Sequence, residues 1–368
     1  MILLNPGPVN LSEGVRHALT RPDLCHREPE FGKLQQSIRD RLLDVYDLPA
    51  KDWAAVLLTG SGTAGIEAMM SSLIPRHGKV LVIENGVYGE RLAAIAETHR
   101  IGLKRLSYEW GEPYDITDVE DVLNTEDGFT HVALVHHETT TGLLNDVSAI
   151  GRLCQLHGLG LLVDAVSSFG AEELDFDNWG IAACAGAANK CLHGAPGVAF
   201  VIVNRRLLQP RHDAARRTLY LDLANYCREQ DAGSTPFTQS VQLFYALAQA
   251  LEEFAAQGGW RARHECYRRL ARRLRQGLVA LDIEPMLSEA LSSTVLSAFY
   301  LPNGMSYSDL HDGLKARGFV IYAGQARLAQ DIFRVSVMGA VTEADIERLL
   351  ASLEEMLGTY PMERERIS

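Results

Sequence analysis

No stretch of the 368-residue chain approaches the roughly 20 consecutive apolar residues that a bilayer-spanning helix needs, so no membrane segment is expected. An excess of positive charge is missing too. Lys and Arg number 35 against 47 Asp and Glu, a formal net charge of -12. Non-specific nucleic-acid binding draws on a basic surface, so nucleic acid is set aside as a partner. A small anionic ligand stays compatible, because its site needs only local charge. Cysteine is sparse and unpatterned: Cys25, Cys154, Cys184, Cys191, Cys227 and Cys266 include no C-x-x-C pair. Free thiols in a reducing compartment follow. The opening "MILLNPGPVN" has no basic n-region and meets two prolines at once, so it does not read as a signal peptide. The expected location is cytoplasmic. Internal repeats and Pro- or Gly-rich linkers are also absent.

What is present is an ordinary globular composition, 47% hydrophobic and 22% charged, in a chain long enough for two domains. Short apolar runs alternate with amphipathic stretches. Strands are expected at 55–59, 79–83, 102–106, 131–136, 160–164, 182–185 and 198–203, with helices at 65–74, 89–98 and 146–157 among them. That alternation predicts an α/β fold with a mainly parallel seven-stranded sheet covered on both faces. After about Ser240 the pattern changes to long helices and a few strands, including "STVLSAFYL", "FVIYAG" and "IFRVSVM". The expected division is an N-terminal segment (1–15) that contributes to a substrate pocket, a large domain (16–250) and a smaller α+β domain (251–368). The Arg-rich stretch "RARHECYRRLARRLRQGLVAL" places its arginines beside Leu270, Leu274 and Leu278 at helical spacing and reads as a solvated helix face.

"LLTGSGTAGIEAMM" (57–70) has the G-x-G-x-x-G spacing at Gly60, Gly62 and Gly65, after an apolar run and before a helical pattern. Glu84, at the end of "KVLVIE", stands near where a dinucleotide fold places its ribose-binding acid. A nicotinamide-dependent dehydrogenase is one reading. The physical content is narrower: a helix N-terminus with small residues and hydroxyls, suited to any phosphate. His136, His137 and Glu138 are consecutive, and neighbours on an extended strand point to opposite faces. No metal site is expected there.

Two further residues point elsewhere. Asp164 ends the apolar run "GLLVD", and Lys190 lies among small residues in "CAGAANKCLHGAPG". A strand-end acid and a lysine in a tight pocket suit pyridoxal 5'-phosphate. The lysine amine condenses with the cofactor's aldehyde, helped by burial that lowers its pKa. The carboxylate pairs with the protonated ring nitrogen. Taken alone, Lys190 is equally compatible with a surface lysine.

"LLNPGPV", "NGVYGER", "HHETTTGLLN", "VDAVSSFG" and "AANKCLHGAPG", in this order along the chain, resemble the class V aminotransferase family. The resemblance implies a fold-type I pyridoxal phosphate transferase, working as a homodimer whose active site is shared between subunits. It implies Lys190 as the cofactor-binding lysine and Asp164 as the ring-nitrogen partner. Ser61, Gly62 and Thr63 would cradle the cofactor phosphate, and Thr238 of "PFTQS" would reach it from the other subunit; Thr238 also reads as an N-cap of the following helix, and both roles can hold together. Tyr88 would stack on the ring, its flanking glycines letting it lie flat. Thr140, or its neighbour Thr139, would bond the phenolic oxygen. Arg334 would hold a substrate carboxylate. Pro8 and, more weakly, Arg27 of the His26–Arg27–Glu28 patch would line the substrate pocket.

The wording of "ETTTG", the Lys190 motif and "GFVIY" is nearest to a branch that moves the amino group of 2-aminoethylphosphonate to pyruvate, giving phosphonoacetaldehyde and alanine. An alanine–glyoxylate or serine–pyruvate type activity, or another aminoalkylphosphonate donor, is the alternative. A fold of this kind without catalysis, kept as a binding protein, is a third class.

Overall fold

The computed structural model describes residues 1–209 and 216–359. From the N-terminus come β1 (Ile2–Leu3), α1 (Glu13–Ala18) and α2 (Pro29–Asp44). Ser12 caps α1 through the Val15 N–H, and Pro29 opens α2, where its missing N–H costs nothing. The alternating region follows: β2 (Trp53–Thr59), α3 (Gly62–Leu73), β3 (Lys79–Glu84), α4 (Val87–Thr98), β4 (Gly102–Ser107), α5 (Ile116–Thr125) and β5 (Phe129–Val135). A short hairpin, β6 (His137–Glu138) with β7 (Leu143–Leu144), precedes α6 (Val147–His157), β8 (Gly160–Asp164), β9 (Ile181–Ala187) and β10 (Val198–Asn204). Then come α7 (Leu223–Asp231), α8 (Val241–Ala256), α9 (Gly259–Val279), β11 (Leu296–Tyr300), α10 (Tyr307–Ala316), β12 (Phe319–Val320), β13 (Tyr322–Ala323), β14 (Ile332–Ser336) and α11 (Glu343–Thr359).

Seven strands form the large sheet in the order β2-β10-β9-β8-β5-β3-β4. Only β10 runs against its neighbours. The strands read as near-continuous apolar runs because helices cover both faces. On β2, Ala55 and Leu57 enter one core with α2, α6 and α8, while Ala54, Val56 and Leu58 enter the other with α3, α4 and α7. The two edges are protected differently. β4 carries Lys104 and Arg105, charges that discourage further pairing. At β2, buried side chains replace a strand: Gln230 bonds both the N–H (3.1 Å) and the C=O (2.7 Å) of Leu57, and Arg39 donates to Ala55 O at 2.9 Å.

A separate core joins α9, α10, α11 and the β11-β14-β13 sheet. It changes over between α8, whose Phe244 and Leu251 face the large sheet, and α9, whose Tyr267, Leu270, Leu274 and Leu278 do not. The N-terminal segment belongs to this second core through Leu4 and Val9. "FVIYAG" is not one strand. It breaks at Ile321, so that β12 pairs with β1 and β13 with β14. The expected solvated arginine face is also interrupted, because Arg263 of α9 is buried. No helix among the described residues is long and apolar enough to cross a membrane.

Candidate active site

The carboxyl ends of β2, β3, β5, β8 and β9 open on one side of the sheet, where ligands of open α/β sheets bind. A cavity of about 420 Å³ there is lined by Ser61, Gly62, Thr63, Tyr88, Asp164 and Lys190, together with Arg91, His137 and Val166.

The first wall is the turn from β2 into α3. The Gly60 N–H bonds Gly197 O at 2.9 Å. Ser61 is the extended N-cap residue, and its hydroxyl makes no capping bond. The first amides of α3 therefore face the cavity with their partial positive charge unspent. A Cβ on Gly62 would stand 2.7 Å from Val166 Cγ1, and one on Gly65 would press on Ala199 at 3.4 Å. These glycines serve close packing of the helix start. Glu84 is turned away: it is buried at the β3–β4 edge, accepting from Ser107 Oγ at 2.6 Å with Arg105 3.8 Å off. Nothing in this geometry uses it for a ribose.

Asp164 ends β8. Its Oδ1 accepts the Val166 N–H at 3.0 Å, while Oδ2 has no partner among the described residues. Burial raises its pKa to about 6 against the pull of that N–H, Arg91 and Lys190. Lys190 sits in the turn between β9 and β10. Burial lowers its pKa to about 8, with the neighbouring Arg334 and Arg91 charges acting in the same direction and Asp164 opposing. Its Nζ donates to Pro6 O. A Cβ on Gly7 would lie 3.0 Å from both Lys190 Cδ and Nζ, so the glycine lets the N-terminal segment lie against the lysine.

Tyr88 is on the first turn of α4. Arg91, one turn on, places its guanidinium 4.6 Å from the Tyr88 ring centroid and donates to Thr63 Oγ1 at 3.2 Å. This arginine was not singled out by sequence reasoning; its spacing of three from Tyr88 on a helix was the available signal. The glycines flanking Tyr88 have a different purpose from the one expected. A Cβ on Gly86 would collide with Glu138 Cδ at 2.3 Å, and one on Gly89 with Glu84 Cα at 2.7 Å. They let α4 start on top of a buried carboxylate. Glu138 accepts the N–H groups of Tyr88 (3.2 Å), Gly89 (3.1 Å) and Thr140 (3.0 Å), and the Thr140 hydroxyl (2.6 Å). Burial raises its pKa to about 7, restrained by the bonds from Thr140 and Gly89.

The same contacts separate the two threonine candidates. The Thr140 hydroxyl is committed to Glu138 and to the Val87 N–H at 3.0 Å. Thr139 Oγ1 is buried without a hydrogen-bond partner, as is His137 Nε2. Of the two candidates, Thr139 keeps its hydroxyl unengaged, as does the neighbouring Thr141. Arg334, on β14, is buried rather than in a surface salt bridge. Its Nε donates to Ala323 O (2.9 Å) and its Nη1 to Thr139 O (2.7 Å), while Nη2 has no partner among the described residues.

Three expected residues lie apart from this cavity. Pro8 is exposed; the carbonyl that meets Lys190 belongs to Pro6. Arg27 is exposed and donates to Thr235 O at 2.7 Å. Thr238 is also exposed, and the N-cap of α8 is Ser240, not Thr238.

A pyridoxal phosphate fits these residues. A helix start with open amides, a carboxylate oxygen without a hydrogen-bond partner among the described residues and a buried lysine with a lowered pKa converge on one cavity.

Comparison with known proteins agrees with this geometry. The aminotransferase class-V family model matches residues 16–349. A 2-aminoethylphosphonate–pyruvate transaminase from Vibrio parahaemolyticus is 38% identical over 362 residues, 97% of each chain. Among solved structures, a subgroup IV aspartate aminotransferase from Thermus thermophilus superposes with a TM-score of 0.87 at 30% identity, covering 97% of this chain and 99% of its own. An alanine–glyoxylate aminotransferase from Nostoc sp. gives 0.90 at 26%, covering 97% and 95%.

Proposed function

This chain belongs to the class V aminotransferases, and we propose that it moves the amino group of 2-aminoethylphosphonate to pyruvate, with pyridoxal 5'-phosphate as cofactor. The observation that carries the cofactor reading is the meeting of Asp164 Oδ2, Lys190 Nζ and the open α3 N-terminus in one cavity. The donor and acceptor rest on the relatives described above. When bound, pyridoxal phosphate supplies an aldehyde that takes up the donor nitrogen and a ring that withdraws electrons from the donor carbon.

The chain's own residues have separable tasks. The N–H groups of Gly62 and Thr63, with the Ser61 and Thr63 hydroxyls, bind the phosphate. Asp164 Oδ2 accepts from the ring nitrogen and keeps its proton in place. Tyr88 covers one ring face, backed by Arg91. Thr139 donates to the phenolic oxygen. Lys190 Nζ would hold the aldehyde and is the amine that would move the proton at the donor carbon. Its lowered pKa suits a base working near neutrality. Arg334, whose Nη2 is left without a partner among the described residues, binds the anionic end of donor or acceptor. Thr238 and Arg27, which face outward, act across a homodimer contact. The six cysteines, none of them paired, fit a cytoplasmic enzyme.

The test is a spectral screen of amine donors against the cofactor-loaded protein. Conversion with 2-aminoethylphosphonate and reversal by pyruvate support the proposal. Conversion with alanine and reversal by glyoxylate, with no response to 2-aminoethylphosphonate, would replace it by an alanine–glyoxylate activity.

A further inference from the structure

The turn that carries Lys190 is tied to the C-terminal core by a residue the proposed mechanism does not use. His193 has φ 62, in the left-handed region, which a bulky side chain occupies only where its surroundings fix it. Its N–H bonds Lys190 O at 2.9 Å, closing the turn. Its Nε2 accepts the Gly339 N–H at 2.9 Å and meets the Tyr267 hydroxyl. A backbone N–H can only donate, so Nε2 carries the lone pair and the proton sits on Nδ1. The imidazole lies nearly parallel to the Tyr267 ring, 26° apart with centroids 6.1 Å apart.

Both partners belong to the second core. Tyr267 is on α9, and Gly339 follows β14, the strand of Arg334. One turn before Tyr267, Arg263 donates to Cys191 O, so α9 grips the Lys190 turn at two points. Gly339 also packs on the N-terminal segment: a Cβ there would meet Asn10 N and Val9 Cβ at 2.9 Å, and the Ala340 N–H bonds Asn10 O at 3.1 Å. That segment brings Pro6 O to Lys190 Nζ. The contacts close a ring from Lys190 through His193, Gly339, Asn10 and Pro6 back to Lys190. Burial, with the Arg263 charge beside it, holds the imidazole neutral.

We propose that His193 is a positioning residue for Lys190: its Nε2 lone pair fixes the Lys190 turn to the C-terminal core, so that movement of that core is transmitted to the lysine amine. The proposal rests on the reading of Lys190 as the cofactor-binding lysine. It assigns the connection between the Arg334 side of the cleft and the lysine to one side chain.

The experiment compares His193→Leu, which removes the acceptor, His193→Gln, which keeps one, and Tyr267→Phe, which leaves the strained backbone untouched. One readout needs no turnover: the rate at which chain stripped of cofactor captures pyridoxal phosphate, followed as the growth of its visible absorbance band. The second is the split between kcat and KM for the amine donor. His193→Leu is expected to slow capture and lower kcat by about tenfold each with KM nearly unchanged, as for a lost interaction that acts on the chemical step. His193→Gln should recover most of both, and Tyr267→Phe should lose about threefold. Unchanged capture and kcat in a folded His193→Leu variant overturn the proposal. If that variant does not fold, His193→Asn, which tolerates the left-handed backbone but is too short to reach the Gly339 N–H, takes its place, and unchanged capture there overturns the proposal. Lys190→Ala is the control for the underlying reading: a band that survives there removes Lys190 as the cofactor's anchor, a result distinct from silent His193 and Tyr267 variants.

Discussion

Two turns face the same cavity and are held in opposite ways. The turn at Ser61–Thr63 is local. One strand ends, one helix begins, and its exposed amides are the ordinary surplus of a helix start. The turn at Lys190 is held from a distance, by Pro6 of the N-terminal segment, Arg263 of α9 and Gly339 after β14. A local turn is specified by a short stretch of sequence and keeps its shape whatever the second core does. A turn held from outside reports the position of the elements that hold it. On the proposed reading this difference has a use: the α3 turn would keep a phosphate fixed, while the lysine amine would be free to shift with the elements that hold its turn.

Substitutions at the two turns should separate these roles. The largest effect is expected for Lys190→Ala, a loss of roughly 10⁴-fold or more in kcat with little change in melting temperature, since it removes the base. A smaller loss would show that another group moves the proton. Asp164→Asn is expected to lower kcat by about 10²- to 10³-fold, the usual scale for one misplaced electrostatic partner. The stripped chain should still bind inorganic phosphate at α3, because that turn does not depend on Asp164. Competition between inorganic phosphate and pyridoxal phosphate during reconstitution measures this. Arg334→Leu is expected to raise KM for pyruvate by about 10- to 100-fold, as for a lost charge-assisted pair, with a much smaller change in kcat.

The smallest effect is on stability, at the joint between the cores. Glu172 is buried, and its Oε1 accepts from Ser293 Oγ, Thr294 N–H and Thr294 Oγ1, while His264 lies 3.2 Å from its Oε2. Burial pushes its pKa up, but the bonds from His264 and Ser293 prevail and hold it at about 2, against an ordinary 4.5. A depressed carboxylate contributes stability above its unfolded value and loses it as pH falls from 4.5 toward 2. Glu172→Gln should destabilise the protein at pH 7 by roughly 2–3 kcal/mol and flatten the acid limb of its stability curve. Chemical denaturation at several pH values checks this. If the Lys190 turn is held from the second core as described, the same substitution should slow cofactor capture more than it weakens phosphate binding at α3.

Much of the site was legible because its parts carry local signals. Asp164 ends an apolar run, Lys190 stands among small residues, and Ser61–Thr63 opens a helix after a strand. Arg91 and Arg263 were passed over because each is one arginine on a helix whose buried face is set by packing. Thr140 was preferred to Thr139 because nothing in "ETTTG" says which hydroxyl Glu138 and the Val87 N–H already occupy. Thr238, Arg27 and Pro8 were placed at the site by resemblance, and all three are exposed in the single chain. Tyr88's glycines were assigned to the wrong neighbour, since Glu138 comes from a strand 50 residues on.

By itself, the sequence determined the sheet and the open start of α3. Strands buried on both faces must be continuously apolar, and a helix start must leave amides unpaired, wherever the rest of the chain goes. Only the tertiary structure decided which carbonyl meets the Lys190 amine, which threonine keeps a free hydroxyl and which guanidinium nitrogen of Arg334 is available. Hydrogen-bond partners and desolvation are properties of atoms brought together from distant positions, and no local pattern records which of them are already taken.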